Sequence, residues 1–426
     1  MSPTPSPATR RRYGRSANRS GMALAGNCAY ALAQFGVLVV LARQATPSDV
    51  GDYALALAVT APIQLGLGLR LRTVRAVDIG PTPFRTYLQL AIILGGLAAL
   101  LGTAIGVIIA PSPRFILVVA LVALAKSVEG IIDVCYGEYQ RQDRLTAIAA
   151  SQLIRAGLTI TLVAVGAHLA GLVGALVAML VGWAAQLLAL DGRRIRNPTQ
   201  PTTTEELGEP VSVGALIRRS WPLGLASAVA SLSVSLPRFT VAGLLDSAAL
   251  GVLAVLSYPA TVISLFANSL GQANVREMAA SVASGNRRRV WSHLLAMVAA
   301  TTALGILGAC LVLVAGRRGV TWLLGAAYAG NLSLLLLLLL AATLAGLTTN
   351  TYYLLVSTGR FGLQPVVVCV SLGLAAPVVY FATLYYGLTG TAAALAFMYG
   401  LQAMLTGGSA ALILGRRPLW RSKVSA

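Results

Sequence analysis

Residues 220–243 read SWPLGLASAVASLSVSLPRFTVAG, and the fold class turns on how they are interpreted. The stretch is long and apolar enough to cross a bilayer as a helix, for which about 20 residues suffice. Wound at 100° per residue, Ser220, Gly224, Ser227, Ser231, Ser235 and Arg238 share an arc of about 80°. The remaining positions are mostly Leu, Val, Ala and Phe. An arginine inside such a span is expensive in hydrocarbon and is expected to face protein or water. Small hydroxyl residues on the same stripe either admit a close helix neighbour or line a wet cavity. Both readings are open at this point.

The composition agrees with a membrane setting. Of 426 residues, 57% are hydrophobic and 11% charged, with mean hydropathy +0.78. Soluble domains carry about 25% charged residues. Apolar runs of 18 or more residues recur along the chain, which predicts an all-α polytopic membrane protein. Twelve spans are expected, at about 21–42, 53–70, 86–110, 115–136, 146–167, 169–190, 220–243, 248–270, 290–314, 332–355, 362–385 and 388–414. The fifth and sixth are separated only by a bend around His168-Leu169, so that pair should form a tight hairpin.

The formal charge of +19 would suggest nucleic acid in a soluble protein. Here the basic residues sit in short connections between spans, so no nucleic-acid partner is expected. With the N-terminus inside, cytoplasmic segments carry 25 Lys and Arg, against four outside: Arg43, Arg114, Arg317 and Arg318. That asymmetry predicts cytoplasmic termini and a multi-pass protein of the cell membrane. The four cysteines are scattered, and the two histidines are isolated. No metal or disulfide framework is expected. No G-x-x-x-x-G-K-[ST] is present, so no nucleotide or other cofactor is expected either.

The longest internal connection, 191–219, divides the chain. The expected organisation is a basic tail (1–20), a six-helix lobe (21–190), a cytoplasmic linker (191–219), a second six-helix lobe (220–414) and a tail (415–426). The lobes resemble each other. Ala42, Gly51 and Ala54 recur 200 residues later as Ala242, Gly251 and Ala254, and Tyr136 and Arg144 recur as Tyr352 and Arg360. An even number of spans per lobe makes the repeats parallel, with a substrate site expected in a central cavity between them.

Polar chemistry at membrane depth gives the candidate residues. In the stripe these are Ser227, Ser231, Ser235 and Arg238, and on span one Asn27 and Gln34, with Tyr30 between them. Asn27 corresponds to Ser227 in the repeat, whereas Leu38 stands where Arg238 would recur. In span four, Lys126, Glu129 and Asp133 share a face, and Lys126 can pair with Glu129 three residues on. Arg155 in span five lies at nearly the depth of Glu129. Two roles remain for this group: a structural ion pair across the hairpin, or a basic inner wall in which Glu129 and Asp133 carry coupling ions.

Leu41-Ala42-Arg43, Ala45-Thr46-Pro47 and Val50-Gly51-Asp52-Tyr53-Ala54 resemble the opening of Wzx-type polysaccharide exporters, in the multidrug/oligosaccharidyl-lipid/polysaccharide (MOP) superfamily. Leu65-Gly66-Leu67 before the basic loop at Arg70, Arg72 and Arg75 is similar too. So are Trp221-Pro222-Leu223-Gly224, Leu236-Pro237-Arg238-Phe239, Leu250-Gly251-Val252-Leu253 and Ser357-Thr358-Gly359-Arg360. The resemblance implies two six-helix lobes around a cationic cavity that flips polyprenyl-pyrophosphate-linked saccharides to the outer leaflet. It implies membrane lipid and polysaccharide assembly proteins as partners. No enzyme is expected, because the longest exterior loop, around Ala315 to Asn331, offers Arg317 and Arg318 but no carboxylate or histidine. A cation-coupled multidrug efflux protein is the competing expectation, and a membrane polysaccharide polymerase or ligase a third.

Overall fold

The computed structural model describes residues 29–78, 82–192, 212–359 and 363–415, apart from the side chains at 259 and 365. All the regular structure among them is helical. The helices are α1 (Ala29–Gln44), α2 (Pro47–Leu67), α3 (Leu71–Val77), α4 (Phe84–Ile109), α5 (Pro113–Arg141), α6 (Leu145–Gln186), α7 (Val213–Leu244), α8 (Ser247–Leu256), α9 (Pro259–Ala283), α10 (Arg287–Leu324), α11 (Leu332–Ser357) and α12 (Leu363–Gly415). A π-turn, Leu187–Asp191, extends α6. Among the described residues, nine elements are long and apolar enough to cross a membrane. This is a multi-pass membrane protein.

The nine long elements are fewer than the twelve expected spans because α6 and α12 each hold two of those spans and α1, over its described residues, is a shorter apolar helix. In α6 the helix breaks at Ala170 and Gly171 (φ 59°, ψ −145°) and turns back. Gly166 and Gly174 then meet backbone to backbone, and Trp183 Nε1 donates to Thr159 Oγ1 at 2.8 Å. The expected hairpin of spans five and six is therefore present, its turn two residues beyond His168-Leu169. In α12, Gly387 (φ 57°, ψ −141°) does the same, bringing Gly390 against the Ala382 carbonyl and Thr383 against Thr391 at 2.8 Å. Gly316 in α10 adopts the same backbone (φ 53°, ψ −152°), a region that essentially only glycine occupies.

The chain divides into two compact units, Met1–Leu232 and Ser233–Ala426. In the first, α5 is the central helix, packed by α2, α3, α4 and α6. Val118, Val119, Val122, Ala123, Ala125 and Ile132 are fully buried along it. Small and β-branched residues suit this position because packing, rather than hydrophobicity, holds helices together in lipid. In the second unit, α11 is packed by α9, α10 and α12. Thus the fourth expected span of one half and the tenth of the other play the same central part.

Capping fixes where α2 begins. Thr46 and Asp49 close a reciprocal capping box, and Arg114 at the start of α5 binds the Asp49 carboxylate. At its other end α2 stops at Gly68, and Leu69 and Arg70 follow with φ of 50° and 52°. Two successive non-glycine residues in the left-handed region are unusual. Each costs about 1–2 kcal/mol, and such strain concentrates at functional sites.

Candidate functional site

Among the described residues, two polar assemblies stand out within the first unit. The inner one joins α1, α5 and α6. Glu129 is its hub: Lys126 Nζ lies 2.8 Å from Oε2, Arg155 Nη1 lies 3.7 Å from Oε1, and the Tyr30 hydroxyl donates to Oε1. Gln34 Nε2 donates to the Tyr30 oxygen at 3.0 Å. Arg155 is 3% exposed. Its guanidinium carbon stands over the rings of Tyr30 (4.8 Å), Tyr136 (5.5 Å) and Trp183 (5.8 Å). Its Nε and Nη1 make no hydrogen bond among the described residues, so ring faces and the Glu129 charge hold the cation. Gly36 lets α1 lie close on α6, since a Cβ at that position would meet the Ile160 side chain at 2.9 Å. Two cations and one carboxylate leave the assembly with net positive charge.

The second assembly is a cleft of about 350 Å³, within the roughly 300–1,000 Å³ typical of ligand pockets. Its polar lining is Gln64, Arg70, Arg72, Thr73, Ser127 and Asp133. The left-handed turn at Leu69–Arg70 directs Arg70 toward α7, where its Nε donates to Ser227 Oγ at 2.7 Å. Arg72 lies on the first turn of α3, with its guanidinium 5.4 Å over Tyr136 and Nη1 3.4 Å from Asp133 Oδ1. Gly137 makes room for this, because a Cβ there would strike the Arg72 backbone oxygen at 2.6 Å. Gln64 donates to Ser127 Oγ at 2.8 Å, and Ser127 donates to the Gly95 carbonyl at 2.7 Å. Arg75, one turn along α3, is buried against Glu138 at 2.6 Å and donates to the Thr82 carbonyl at 2.8 Å. That pair fastens α3 to α5 and does not line the cleft.

The structure divides the residues expected to act together. Lys126, Glu129, Arg155 and Gln34 join in the inner assembly, whereas Asp133 turns to Arg72 and the cleft. The stripe of α7 also splits. Gly224 packs directly on the Gly66 carbonyl at the end of α2, Ser220 is buried and Ser227 meets Arg70. Its first half therefore serves close helix approach. Ser231 is half-buried at the end of the first unit. Ser235 is buried and Arg238 half-buried in the second unit. Asn27 lies outside the described residues. Arg70 and Arg72 were not among the expected site residues. In the sequence they stand only as part of a basic connection, and the turn that folds them inward is written in no motif.

Comparisons with known proteins agree with this architecture. Residues 18–275 match the model of a family described as polysaccharide biosynthesis protein. The capsular polysaccharide biosynthesis protein CapF of Staphylococcus aureus is 28% identical over 246 residues, covering 58% of this chain and 61% of the length of CapF. Among solved structures, an inward-facing MATE-family multidrug resistance transporter of the MOP superfamily superimposes with TM-score 0.74 at 14% identity, covering 91% of this chain and 94% of that one. A MOP superfamily transporter from Pyrococcus furiosus, with a binding pocket of reverse polarity, superimposes with TM-score 0.62 at 14% identity, covering 93% and 94%. The family match spans more than half of the chain, and the fold likeness to MOP transporters covers about nine-tenths of it. The chain belongs to the polysaccharide biosynthesis protein family and is built on a MOP-superfamily transporter fold.

Proposed function

We propose that the protein is a flippase that carries a lipid-linked saccharide, joined through a phosphate or pyrophosphate, from the cytoplasmic to the outer leaflet of the cell membrane for surface polysaccharide assembly. The observation that carries this reading is the cleft lined by Arg70 and Arg72. A sugar–phosphate head must cross roughly 30 Å of hydrocarbon. Guanidinium groups replace its hydration with charge-assisted, planar hydrogen bonds. Membership of a polysaccharide biosynthesis family supports the saccharide. The distribution of Lys and Arg supports cytoplasmic termini. Arg238, in the second unit, is a separate candidate basic residue. In this reading the protein performs no chemistry on its cargo and works by alternating access.

A drug/cation exchanger on the same fold would want an acidic site open to exchange. Glu129 is instead held by Lys126, Arg155 and Tyr30, and Asp133, the acid in the cleft, stands beside two arginines, Arg72 and Arg70, which favours the flippase. The test is a deletion strain, examined for lipid-linked saccharide and for surface polysaccharide. The expected result is accumulation of the lipid-linked intermediate and loss of surface polymer, both reversed by the native gene but not by Arg70→Gln/Arg72→Gln. Normal surface polymer in the deletion strain would refute the proposal.

A further inference from the structure

Two arginine–carboxylate pairs join α3 to α5, and they differ in kind. Arg75–Glu138 is short (2.6 Å), with side-chain exposures of 2% and 9%, and Arg75 is also anchored on a carbonyl. Arg72–Asp133 is a single contact at 3.4 Å, with exposures of 35% and 42%. Charge-assisted bonds normally close to about 2.7–2.9 Å, so the second pair is loose. It is also the pair that lines the cleft. Arg72 keeps a second support in the Tyr136 ring, so its position does not depend on the carboxylate.

Glu129, one turn earlier on α5, is committed to Tyr30, Lys126 and Arg155. Arg70 is held by the neutral Ser227 hydroxyl. Among the described residues, Asp133 is thus the one acid lining the cleft, and Arg72 is its one ion-pair partner.

From this contrast we infer that Asp133 is a release residue, an internal competitor for the guanidinium that grips the substrate's phosphate. The inference rests on the cleft being the phosphate site of the proposed flippase. A phosphate entering the cleft takes Arg72 from Asp133 and is held between Arg72 and Arg70. The displaced carboxylate stays nearby as a like charge, which limits affinity and lets the anion leave. A cleft of two arginines without that acid would hold its cargo too well to turn over, because binding that is equally strong before and after translocation does not speed transport. Asp133 acts here through Arg72 and is a positioning residue for the phosphate.

Titration of the purified full-length protein with inorganic pyrophosphate, followed by calorimetry, tests this together with export in cells. Asp133→Asn should bind pyrophosphate at least about tenfold more tightly, the effect of one unit charge even at roughly 12 Å and an effective dielectric near 20. The same variant should export polysaccharide more slowly at equal protein level. Asp133→Glu, which keeps the charge, should return both readouts toward the native values. The thermal midpoint of Asp133→Asn should match the native protein, since a half-exposed pair contributes little to stability. Unchanged or weaker pyrophosphate binding by Asp133→Asn would overturn the inference, and so would a loss of thermal stability like that of Glu138→Gln. Arg70→Gln/Arg72→Gln is the separate control on the site itself. If the native protein and this variant behave alike toward pyrophosphate, the cleft is not the phosphate site, and both readings fall.

Discussion

At the scale of single residues, burial decides which charges are fixed. Glu129 faces two cations and a phenol in a nearly dry setting, and removing its charge leaves Lys126 and Arg155 uncompensated. Breaking such a pair from one side costs about 3–5 kcal/mol. Glu129→Gln should therefore lower the thermal midpoint of the purified protein sharply, whereas Asp133→Asn should not. Thermal unfolding in detergent compares the two directly, and equal midpoints would contradict the division made here. The Lys126–Glu129 pair was legible in the sequence from its spacing of three, and Arg155 from its matching depth. The fate of Asp133 was not. It follows Glu129 by four on the same face, and only the register of α3, set by a left-handed turn that no motif announces, sends it to Arg72.

At the scale of elements, the two reversals in α6 and α12 and the kink in α10 share one backbone feature. Gly171, Gly316 and Gly387 take the same positive-φ backbone, and each is followed three residues later by a second glycine, at 174, 319 and 390. In α6 and α12 the second glycine lets the returning limb touch the first at a backbone carbonyl. Gly171-Leu172 and Gly387-Leu388 lie 216 residues apart, the offset that also relates Tyr136 to Tyr352. The turns thus extend the internal repeat that was visible in the sequence at other positions. Gly171→Ala should cost about 1–3 kcal/mol from backbone strain alone. Gly390→Val should cost more, because it drives a branched side chain into the Ala382 carbonyl. Yield of monodisperse protein and its thermal midpoint check both, and a harmless Gly390→Val would contradict the hairpin. The hairpins themselves were foreseeable, since each apolar run is about twice the length of one span. The short α3, and the cleft it closes, were hidden in what reads as a basic loop.

At the scale of the whole molecule, the hydropathy pattern carried most of the fold, because a bilayer leaves few ways to satisfy the backbone. α5 and α11 are each packed by the long helices around them within their own unit. Orientation is open to a direct check. In a background with the four cysteines replaced by serine, His168→Cys should react with a membrane-impermeant maleimide added to intact cells, and Asn286→Cys only after permeabilisation. The reverse pattern would invert the proposed topology. The central claim is that the arginine-lined cleft carries a lipid-linked saccharide across the membrane. It is tested most directly by reconstituting the protein into liposomes that hold the host's lipid-linked saccharide, and by timing its appearance in the outer leaflet with an impermeant sugar-specific probe. The native protein should move the lipid and Arg70→Gln/Arg72→Gln should leave it where it started. Equal movement by both, or none by a folded native protein, would contradict the account.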